Sequence, residues 1–348
     1  MSLFSGRKIT VEINGESHAP FMSLFATGFP EFNPDVDKIT EFMKRRAPSS
    51  EFSTSRKEPD RPVFDGEKII NEGKISAKIF NENVRSNDYD DLYGKPRPSH
   101  ADYSAYLKDG TLDYKGGGRF SGRLTAMLCL VGAIALQYLE KEGIKIYSFV
   151  SEIEKIKGKS FSDGVTEEEL KSAKAFPPFS ITNGEKMLGA IREAHKDGDS
   201  VGGVAEVVIL GMKKGTGDNL FEGLDGKISQ LIFGVPAVKG ISFGEGFALA
   251  EMRGSVANDQ MAFTDGKAKF LSNRSGGING GISNGEPIYF KTVIKPTPTI
   301  FKEQSTIDLV NKKTVTIKPH GRHDSCILLR ALPCLESATA LALLDELL

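Results

Sequence analysis

Hydrophobic and polar residues recur along the chain in patterns that predict short strands and several helices. Valine and isoleucine alternate with polar residues over Lys8 to Asn14, which predicts a first strand. Asn33-Pro34-Asp35 is typical of a helix cap and first turn, so a helix should run from there to about Arg46. The clearest helix prediction begins at Ser121, a capping residue, and runs through a Leu-, Ala- and Met-rich interior to about Glu142.

The rest of the pattern predicts strands at 74–81, 145–150, 203–211 and 286–295, and helices near 165–174, 184–196, 225–233 and from about Pro333 onward. Strands and helices mix without a strict βαβ rhythm, which favours an α+β layered fold over a doubly wound sheet. No repeat period, low-complexity tract or linker marks a boundary. Residues 1–348 are therefore predicted to form a single domain.

Composition narrows the class of protein. With 348 residues and 39% hydrophobic content, the chain can bury a large core. Its formal net charge of -1 argues against a nucleic-acid-binding protein. The longest apolar stretch, Ala126 to Leu136, is too short for a bilayer, and the N-terminus has no signal-peptide pattern, so we expect a cytoplasmic protein. Cys129, Cys326 and Cys334 lack disulfide-framework or metal-ligand spacing, so we expect reduced thiols and no metal site.

Three of the five histidines lie in polar loops marked by glycine or proline, where functional residues are common. They are His18 in Gly-Glu-Ser-His, His100 in Arg-Pro-Ser-His-Ala-Asp and His323 in Gly-Arg-His-Asp. A histidine beside arginine and serine can act as a general acid toward an anionic leaving group. In the last block, the carboxylate of Asp324 is a candidate base. For any one of these histidines taken alone, the pattern favours a surface residue making local hydrogen bonds.

A glycine-rich segment from Lys115 to Arg123 joins a loop to a predicted helix N-terminus, where unpaired amides and the helix dipole favour an anion. Arg119 and Arg123 flank this site, and their forked side chains can bind phosphate or carboxylate. The segment lacks the Gly-Lys-Ser/Thr of a P-loop and the spacing of a dinucleotide-binding loop. A flexible turn followed by an ordinary capped helix would have the same pattern.

A second glycine-rich run, 273–285, would let the backbone approach a flat ligand, and Lys295-Pro296-Thr297-Pro298-Thr299 offers a cation and two hydroxyls to a cofactor phosphate. A bulged strand and an exposed turn would give the same patterns. Arginines recur beside glycine, serine and histidine, which indicates a local anion site in a chain of neutral balance: Arg45, Arg46, Arg56, Arg97, Arg119, Arg123 and Arg322.

Ten short blocks, taken together and in order, resemble the chorismate synthase family from about residue 10 to the end. They are Gly-Glu-Ser-His, Arg-Arg, Arg-Lys-Glu-Pro-Asp, Arg-Ser-Asn-Asp-Tyr, Arg-Pro-Ser-His-Ala-Asp-Tyr, Gly-Gly-Gly-Arg-x-Ser-x-Arg, Pro-Ala-Val-Lys-Gly, Gly-Gly-Ile-x-Gly-Gly-Ile-Ser, Lys-Pro-Thr and Gly-Arg-His-Asp. The resemblance implies a fold of antiparallel sheets enclosing a layer of helices, usually assembled as a homotetramer.

The resemblance also implies a reaction. Members of the family carry out an anti 1,4-elimination of phosphate from 5-enolpyruvylshikimate 3-phosphate, giving chorismate, the last common step of the shikimate pathway to aromatic amino acids. The reaction requires reduced FMN although it has no net redox change. Because the 348 residues show no separate reductase domain, we expect an external NADPH-dependent reductase to supply the reduced flavin.

Site roles follow from the same resemblance. It implies that His18, with Ser17 beside it, protonates the leaving phosphate, that His100 contacts the reduced flavin near N1, and that Asp324 acts with flavin N5 to remove the C6 proton. Ser121 matches the serine of the glycine loop. The matching substrate-binding residues are Arg45, Arg97, Arg123 and Arg322. The matching FMN-binding residues are Arg119, Phe120, Ser121, Ala237, Gly280, Lys295, Pro296, Thr297, Pro298, Thr299 and Arg322.

Several positions depart from the family pattern. Among them, Glu51 stands where an arginine is usual, and residues 72–75 read Glu-Gly-Lys-Ile in place of a threonine-containing run. Arg56 is a candidate to compensate for Glu51. Two alternatives therefore stay open. One is an oxidoreductase, such as a flavin reductase that uses nicotinamide, and the other is a non-enzymatic anion-binding protein.

Overall fold

Two five-stranded antiparallel sheets with a layer of helices form the fold. The structure, a computed structural model, describes residues 1–47, 58–83, 91–112, 117–319 and 323–348. The helices are α1 (Val36–Arg46), α2 (Asp102–Asp109), α3 (Thr125–Lys141), α4 (Glu167–Ala173), α5 (Gly184–Lys196), α6 (Leu224–Ile232), α7 (Gly254–Ala257) and α8 (Leu328–Leu347).

The first sheet has the strand order β1-β2-β3-β5-β4. Its strands are β1 (Ser2–Ser5), β2 (Thr10–Asn14), β3 (Phe21–Thr27), β4 (Pro62–Phe64) and β5 (Ile75–Phe80). Along β3, Met22, Leu24 and Ala26 are buried while Phe21 and Phe25 are exposed. This alternation places one face of the sheet on the core, as the period of a strand requires.

The second sheet has the order β7-β6-β8-β14-β9. Three hairpins complete the strands of the described residues. The bounds of all these strands are β6 (Lys145–Ile153), β7 (Ile156–Lys157), β8 (Gly203–Leu210), β9 (Val238–Phe243), β10 (Met261–Thr264), β11 (Lys267–Phe270), β12 (Ile278–Asn279), β13 (Ile282–Ser283), β14 (Ile288–Ile294), β15 (Gln304–Asp308) and β16 (Lys313–Ile317). The predicted α+β class is confirmed by this mixture of helices with antiparallel sheets.

Helices α3 and α8 form the centre of the helical layer. Helix α3 packs against β3 of the first sheet and β6 of the second, and α8 packs against α3, α1, α6 and β6. The two helices approach closely at Gly132, where an added Cβ would lie 2.2 Å from the Cβ of Ser337. Any larger residue at Gly132 would therefore push the helices apart.

Two predicted helix starts differ from the structure. Ser121 caps a short 3₁₀ turn, Gly122–Leu124, and α3 itself begins at Thr125. Helix α8 begins at Leu328, so the predicted start at Pro333 is wrong and the proline lies inside the helix. Pro333 lacks the amide that would bond one carbonyl of the preceding turn. The helix continues through it because its residues are buried on almost every side, and burial outweighs that loss.

Among the described residues, one segment is long and apolar enough to cross a membrane, Gly122–Lys141. It is longer than the uninterrupted apolar stretch Ala126 to Leu136. Most of this segment is buried inside the protein between the two sheets. The same composition is expected of the core helix of a globular protein.

Buried thiols mark the contact between α3 and α8. Cys129 and Cys334 are free cysteines whose sulfur atoms lie 3.7 Å apart. Cys326 is also a buried free thiol, and burial raises its pKa to about 12. These side chains pack as small hydrophobic groups.

Candidate active site

The turn between β2 and β3, residues 15–20, carries Ser17 and His18. Asn81, the first residue after β5, fastens this turn by donating hydrogen bonds to three of its carbonyl oxygens. Ser17 is buried, and its backbone amide donates to the carbonyl of Gly118 at 3.5 Å. The His18 turn therefore lies against the glycine loop predicted from the sequence, although more than ninety positions separate the two.

The glycine loop also meets His100. Gly117 has a φ of 90°, which favours glycine, and a Cβ built there would lie 3.3 Å from Nε2 of His100. Four residues further on, the Oγ of Ser121 accepts a hydrogen bond from the amide of Arg123 at 3.2 Å. Gly117 thus permits a close approach of the imidazole, while Ser121 fixes the turn that leads to Arg123.

The imidazole of His100 is oriented by a buried ion pair. Its Nδ1 lies 2.5 Å from Asp102, whose two carboxylate oxygens accept from Nε and Nη2 of Arg97 at 2.8 and 2.9 Å. Burial opposes ionisation of Asp102, but the hydrogen bonds from His100 and Arg97 outweigh it and hold its pKa well below the ordinary value. With Asp102 ionised, Nδ1 of His100 is the donor, and Nε2 is directed to the glycine loop.

Arg123 is 7% exposed and is held from two sides. Its Nη1 donates to Asp60, and its Nε donates to Oδ1 of Asn81 at 2.9 Å. The third nitrogen, Nη2, is buried, and no described residue accepts a hydrogen bond from it. Burial lowers the pKa of Arg123 and the Asp60 carboxylate opposes that effect. A buried guanidinium with one unused donor group is suited to an anionic ligand.

Asp60 extends this cluster toward Asp324. Its second oxygen accepts from Nη1 of Arg46 at 2.8 Å. The backbone oxygen of Arg46 accepts from Nε of Arg330 at 2.9 Å, and Nη1 of Arg330 donates to Asp324 at 2.8 Å. Burial lowers the pKa of Arg330, against the effect of Asp324. Asp324 is therefore tied through arginine contacts to the cluster that holds Arg123.

The Lys295–Thr299 loop lies beside His100. Nζ of Lys295 donates to the carbonyl of Ser99, and its backbone amide donates to the carbonyl of Ala237, which has a φ of 72°. Burial lowers the pKa of Lys295. The carbonyl of Thr297 accepts from Oγ of Ser200 at 2.7 Å, while the buried Oγ1 of Thr297 has no hydrogen-bond partner among the described residues.

Two predicted site arginines, Arg45 and Arg119, form ion pairs with carboxylates of the protein. Nη1 and Nη2 of Arg45 bind the buried carboxylate of Glu336 at 2.7 and 2.9 Å. Arg119 pairs with Asp109 and stacks over the ring of its neighbour Phe120, with 5.0 Å from Cζ to the ring centroid. Both of these side chains are more than two-fifths exposed.

Gly280 lies at an exposed turn between β12 and β13, and a Cβ built there would meet open space. The turn is tied to α6, since the carbonyl of Gly281 accepts from the amide of Leu224 at 2.8 Å. No hydrogen bond between described residues joins this turn to the Lys295 loop. Arg322, Glu51 and Arg56 lie outside the described residues.

Sequence reasoning missed several residues that organise the site. Asp102 stands two positions after His100 inside a quoted block, where this spacing signals an ion pair, whereas Asp60 pairs with Arg46 and Arg123, which lie outside its own block. Arg330 and Asn81 gave no such signal. Asn81 is a single polar residue at the end of a strand, and its partners are far away in the sequence.

The fold and the site together define an α+β protein with a buried arginine cluster and two histidines beside a glycine loop, a site for an anionic ligand. The chorismate synthase family model matches residues 9–348. Two similar proteins are the chorismate synthase of Korarchaeum cryptofilum (strain OPF8), 39% identical over 99% of this chain and 96% of its own length, and that of Pyrococcus abyssi (strain GE5 / Orsay), 40% identical over 99% and 97%.

A crystal structure of a chorismate synthase superposes with a TM-score of 0.75 at 26% identity, covering 99% of this chain and 92% of that chain. The chain therefore belongs to the chorismate synthase family, whose members are carbon–oxygen lyases. The family predicted from the ten sequence blocks is confirmed.

Proposed function

We propose that the chain converts 5-enolpyruvylshikimate 3-phosphate to chorismate by anti 1,4-elimination of phosphate, the last common step of the shikimate pathway. The observation that carries this proposal is the meeting of the His18 turn, His100 and Arg123 at one glycine loop. The His18 turn and His100 come from separate parts of the chain, and the glycine loop that they meet carries Arg123 itself. Their convergence supports a reaction at that point more strongly than any one motif.

The substrate carries a phosphate and two carboxylates, so its site needs buried cations. Nη2 of Arg123 offers donors that no described residue uses. Arg322, Arg45 and Arg97 are the other proposed contacts, and the last two would have to share donors that now bind Glu336 and Asp102. Charge-assisted hydrogen bonds of this kind would orient the substrate and stabilise the departing phosphate.

Proton transfers are assigned to chain residues on both sides of the reaction. His18, with Ser17 beside it, would give a proton to the phosphate as the C3–O bond breaks. Asp324, held by Arg330 at 2.8 Å, would receive the proton that leaves C6. The substrate thus loses a proton and phosphate and gains a double bond. Ser121 would act by fixing the glycine loop at the site.

Reduced FMN is the proposed cofactor, and when bound it would supply electron density as the C–O bond breaks and recover it afterwards. The residues present fit a flat, anionic group: Gly117 has no side chain beside Nε2 of His100, and Thr297 has a spare buried hydroxyl. The proposed contacts are Arg119, Phe120, Ser121, Ala237, Gly280, Lys295, Pro296, Thr297, Pro298, Thr299 and Arg322. We propose that an external NADPH-dependent reductase supplies the reduced form.

The remaining proposals concern assembly and location. A single domain over residues 1–348 is supported by the packing of α3 against both sheets. The exposed aromatic side chains Phe21, Phe25 and Phe80 on the outer face of the first sheet support association with another copy, and a homotetramer is the assembly that the family resemblance implies. We also propose that the protein acts in the cytoplasm.

Anaerobic turnover tests the function. Purified protein with dithionite-reduced FMN and 5-enolpyruvylshikimate 3-phosphate should release chorismate and phosphate in equal amounts. His18→Ala and His100→Ala should each lower kcat by about 100-fold, the usual size of a lost proton-transfer group. Lys213→Ala is the control, because this half-exposed side chain pairs with Glu142 at the end of α3 opposite the glycine loop, and its kcat should stay near the wild-type value.

Two outcomes would contradict the proposal. A silent wild type that still binds FMN would favour an anion-binding protein. Aerobic turnover with NADPH and FMN alone would show that the chain reduces flavin itself, and the external reductase would then be unnecessary.

A further inference from the structure

Asn81 stands where two parts of the candidate site meet. It follows β5 directly, so its backbone position is fixed by the pairing of β5 with β3, in which Phe80 lies opposite Phe21. From this position it reaches the end of the turn 15–20, which leads into β3. Its backbone amide donates to the carbonyl of Pro20 at 2.9 Å. The backbone of Asn81 therefore already aligns the sheet edge with the His18 turn.

The side chain of Asn81 makes contacts in two directions. Nδ2 donates to the carbonyl of Ala19 at 2.7 Å and to that of Glu16 at 3.2 Å, the two residues that enclose Ser17 and His18. Oδ1 accepts from Nε of Arg123 at 2.9 Å. A primary amide is the one neutral side-chain group with both a two-hydrogen donor and a carbonyl acceptor at the same carbon.

We propose that Asn81 is a positioning residue of this site, whose single amide fixes the turn that carries His18 and the guanidinium of Arg123 relative to each other. This proposal rests on the proposed function for what the two groups do. Asp60 takes Nη1 of Arg123 and Asn81 takes Nε, which leaves Nη2 as the donor for a ligand. The bond to Ala19 then sets how far His18 stands from whatever Nη2 binds.

The chemistry explains why this distance matters. Arg123 would hold the anionic group of the substrate, and His18 would protonate that group as it leaves. A shift of about 1 Å between such groups is enough to lower a rate by about 100-fold. Asn81 links them without touching the reacting atoms, so its loss should affect kcat through His18 and KM through Arg123.

Two substitutions separate these effects. Asn81→Asp keeps an oxygen for Nε of Arg123 but sets a carboxylate oxygen against the carbonyls of Ala19 and Glu16, so it releases the turn alone. We expect kcat to fall about 10- to 100-fold with KM for 5-enolpyruvylshikimate 3-phosphate changed less than about threefold. The high-pH limb of the kcat profile, where a general acid loses its proton, should flatten. Asn81→Leu removes both contacts and should in addition raise KM about tenfold.

Asn183→Asp is the matched control. Nδ2 of Asn183 donates to the carbonyl of Lys157 at 2.8 Å, so the same isosteric change removes the same kind of bond away from the glycine loop. Its kcat, KM and pH profile should equal those of the wild type. A merely structural role for Asn81 would lower the amount of folded enzyme in both Asn81 variants and leave the pH profile unchanged.

Hydrogen exchange of the amides at residues 15–19 provides a test that needs no turnover. Exchange should accelerate at least about tenfold in Asn81→Asp and stay at the wild-type rate in Asn183→Asp. Unchanged exchange, or a kcat within twofold of wild type in Asn81→Asp, would overturn the proposal. If the wild type itself gave no chorismate, the proposed function would fail, while the exchange rates would still decide whether Asn81 holds the turn.

Discussion

Replacing Glu336 by alanine is expected to lower the free energy of unfolding by about 3–5 kcal/mol, because it leaves cations without their buried partner. Glu336 is 1% exposed within α8. Its carboxylate binds Arg45 at 2.7 and 2.9 Å, Lys174 at 3.2 Å, and both the amide and the hydroxyl of Ser148 at 3.0 and 2.7 Å. One side chain therefore joins α8, α1, β6 and the end of α4.

Urea unfolding at neutral pH measures this effect. Glu140→Ala is the control, because Glu140 pairs with Lys38 at 3.3 Å on the surface with 58% of its side chain exposed. Exposed pairs contribute little, so the control should change the free energy of unfolding by less than about 0.5 kcal/mol. Equal effects of the two substitutions would show that the buried network contributes no more than a surface pair.

Acid should weaken the same network. Burial opposes ionisation of Glu336, but Arg45 and Lys174 outweigh it and lower its pKa from 4.5 to about 2. Because the folded-state pKa is depressed, the contribution to stability is complete above the ordinary value and is lost as pH falls from there through about 2. The Glu336→Ala variant should accordingly show a shallower loss of stability over that pH range.

Local signals predicted the helices well where the ends are capped. Asp35, the last residue of the predicted Asn33-Pro34-Asp35 segment, caps α1, since its carboxylate accepts from the amides of Asp37 and Lys38 at 2.9 and 3.2 Å. The start of α8 was missed because the sequence rule for proline describes an isolated helix. In the folded protein, neighbours on every side of α8 fix its path before Pro333.

The site was predictable only where its contacts are local. Arg97, His100 and Asp102 fall within six positions, and their ion pair can be inferred from the block that contains them. Arg45 and Arg46 are neighbours in the sequence, and the sequence predicts the same anion-binding role for both. They differ because consecutive residues on a helix point about 100° apart, so Arg45 meets Glu336 and Arg46 meets Asp60. No local pattern identifies which arginine faces which carboxylate.

Burial of cations is the common feature of the described site. Arg46, Arg123 and Arg330 are each held by an aspartate or a backbone carbonyl, and most of their donors are already used. An arginine in water must lose solvent and side-chain freedom when it binds an anion. These arginines have made that change on folding, so a ligand meets donors that are already oriented. The carboxylates are therefore as important for ligand binding as the arginines.

Asp60 is the carboxylate on which this arrangement most depends. It is buried and binds both Arg46, at 2.8 Å, and Arg123. Asp60→Asn is the informative change, because the backbone φ of 47° at this position is one that asparagine adopts readily. The amide can accept from one arginine only, and its NH₂ group faces the other. We expect kcat/KM to fall about 1000-fold, which corresponds to about 4 kcal/mol.

In Asp60→Asn, the guanidinium groups of Arg46 and Arg123 share one neutral partner, so the variant should also be less stable. This loss of stability must be separated from the loss of orientation of Arg123. In Asp60→Asn with Arg46→Met, one of the two cations is gone, so part of the free energy of unfolding should return. The amide oxygen of residue 60, a weaker acceptor than the carboxylate, is then what holds Nη1 of Arg123, so kcat/KM should stay low. Asp65→Asn, at an exposed carboxylate bonded to Ser76, should leave both quantities at wild-type values. If Asp60 orients Arg123, the double variant should recover stability but not kcat/KM. Recovery of both quantities would show that Asp60 acts only by neutralising charge.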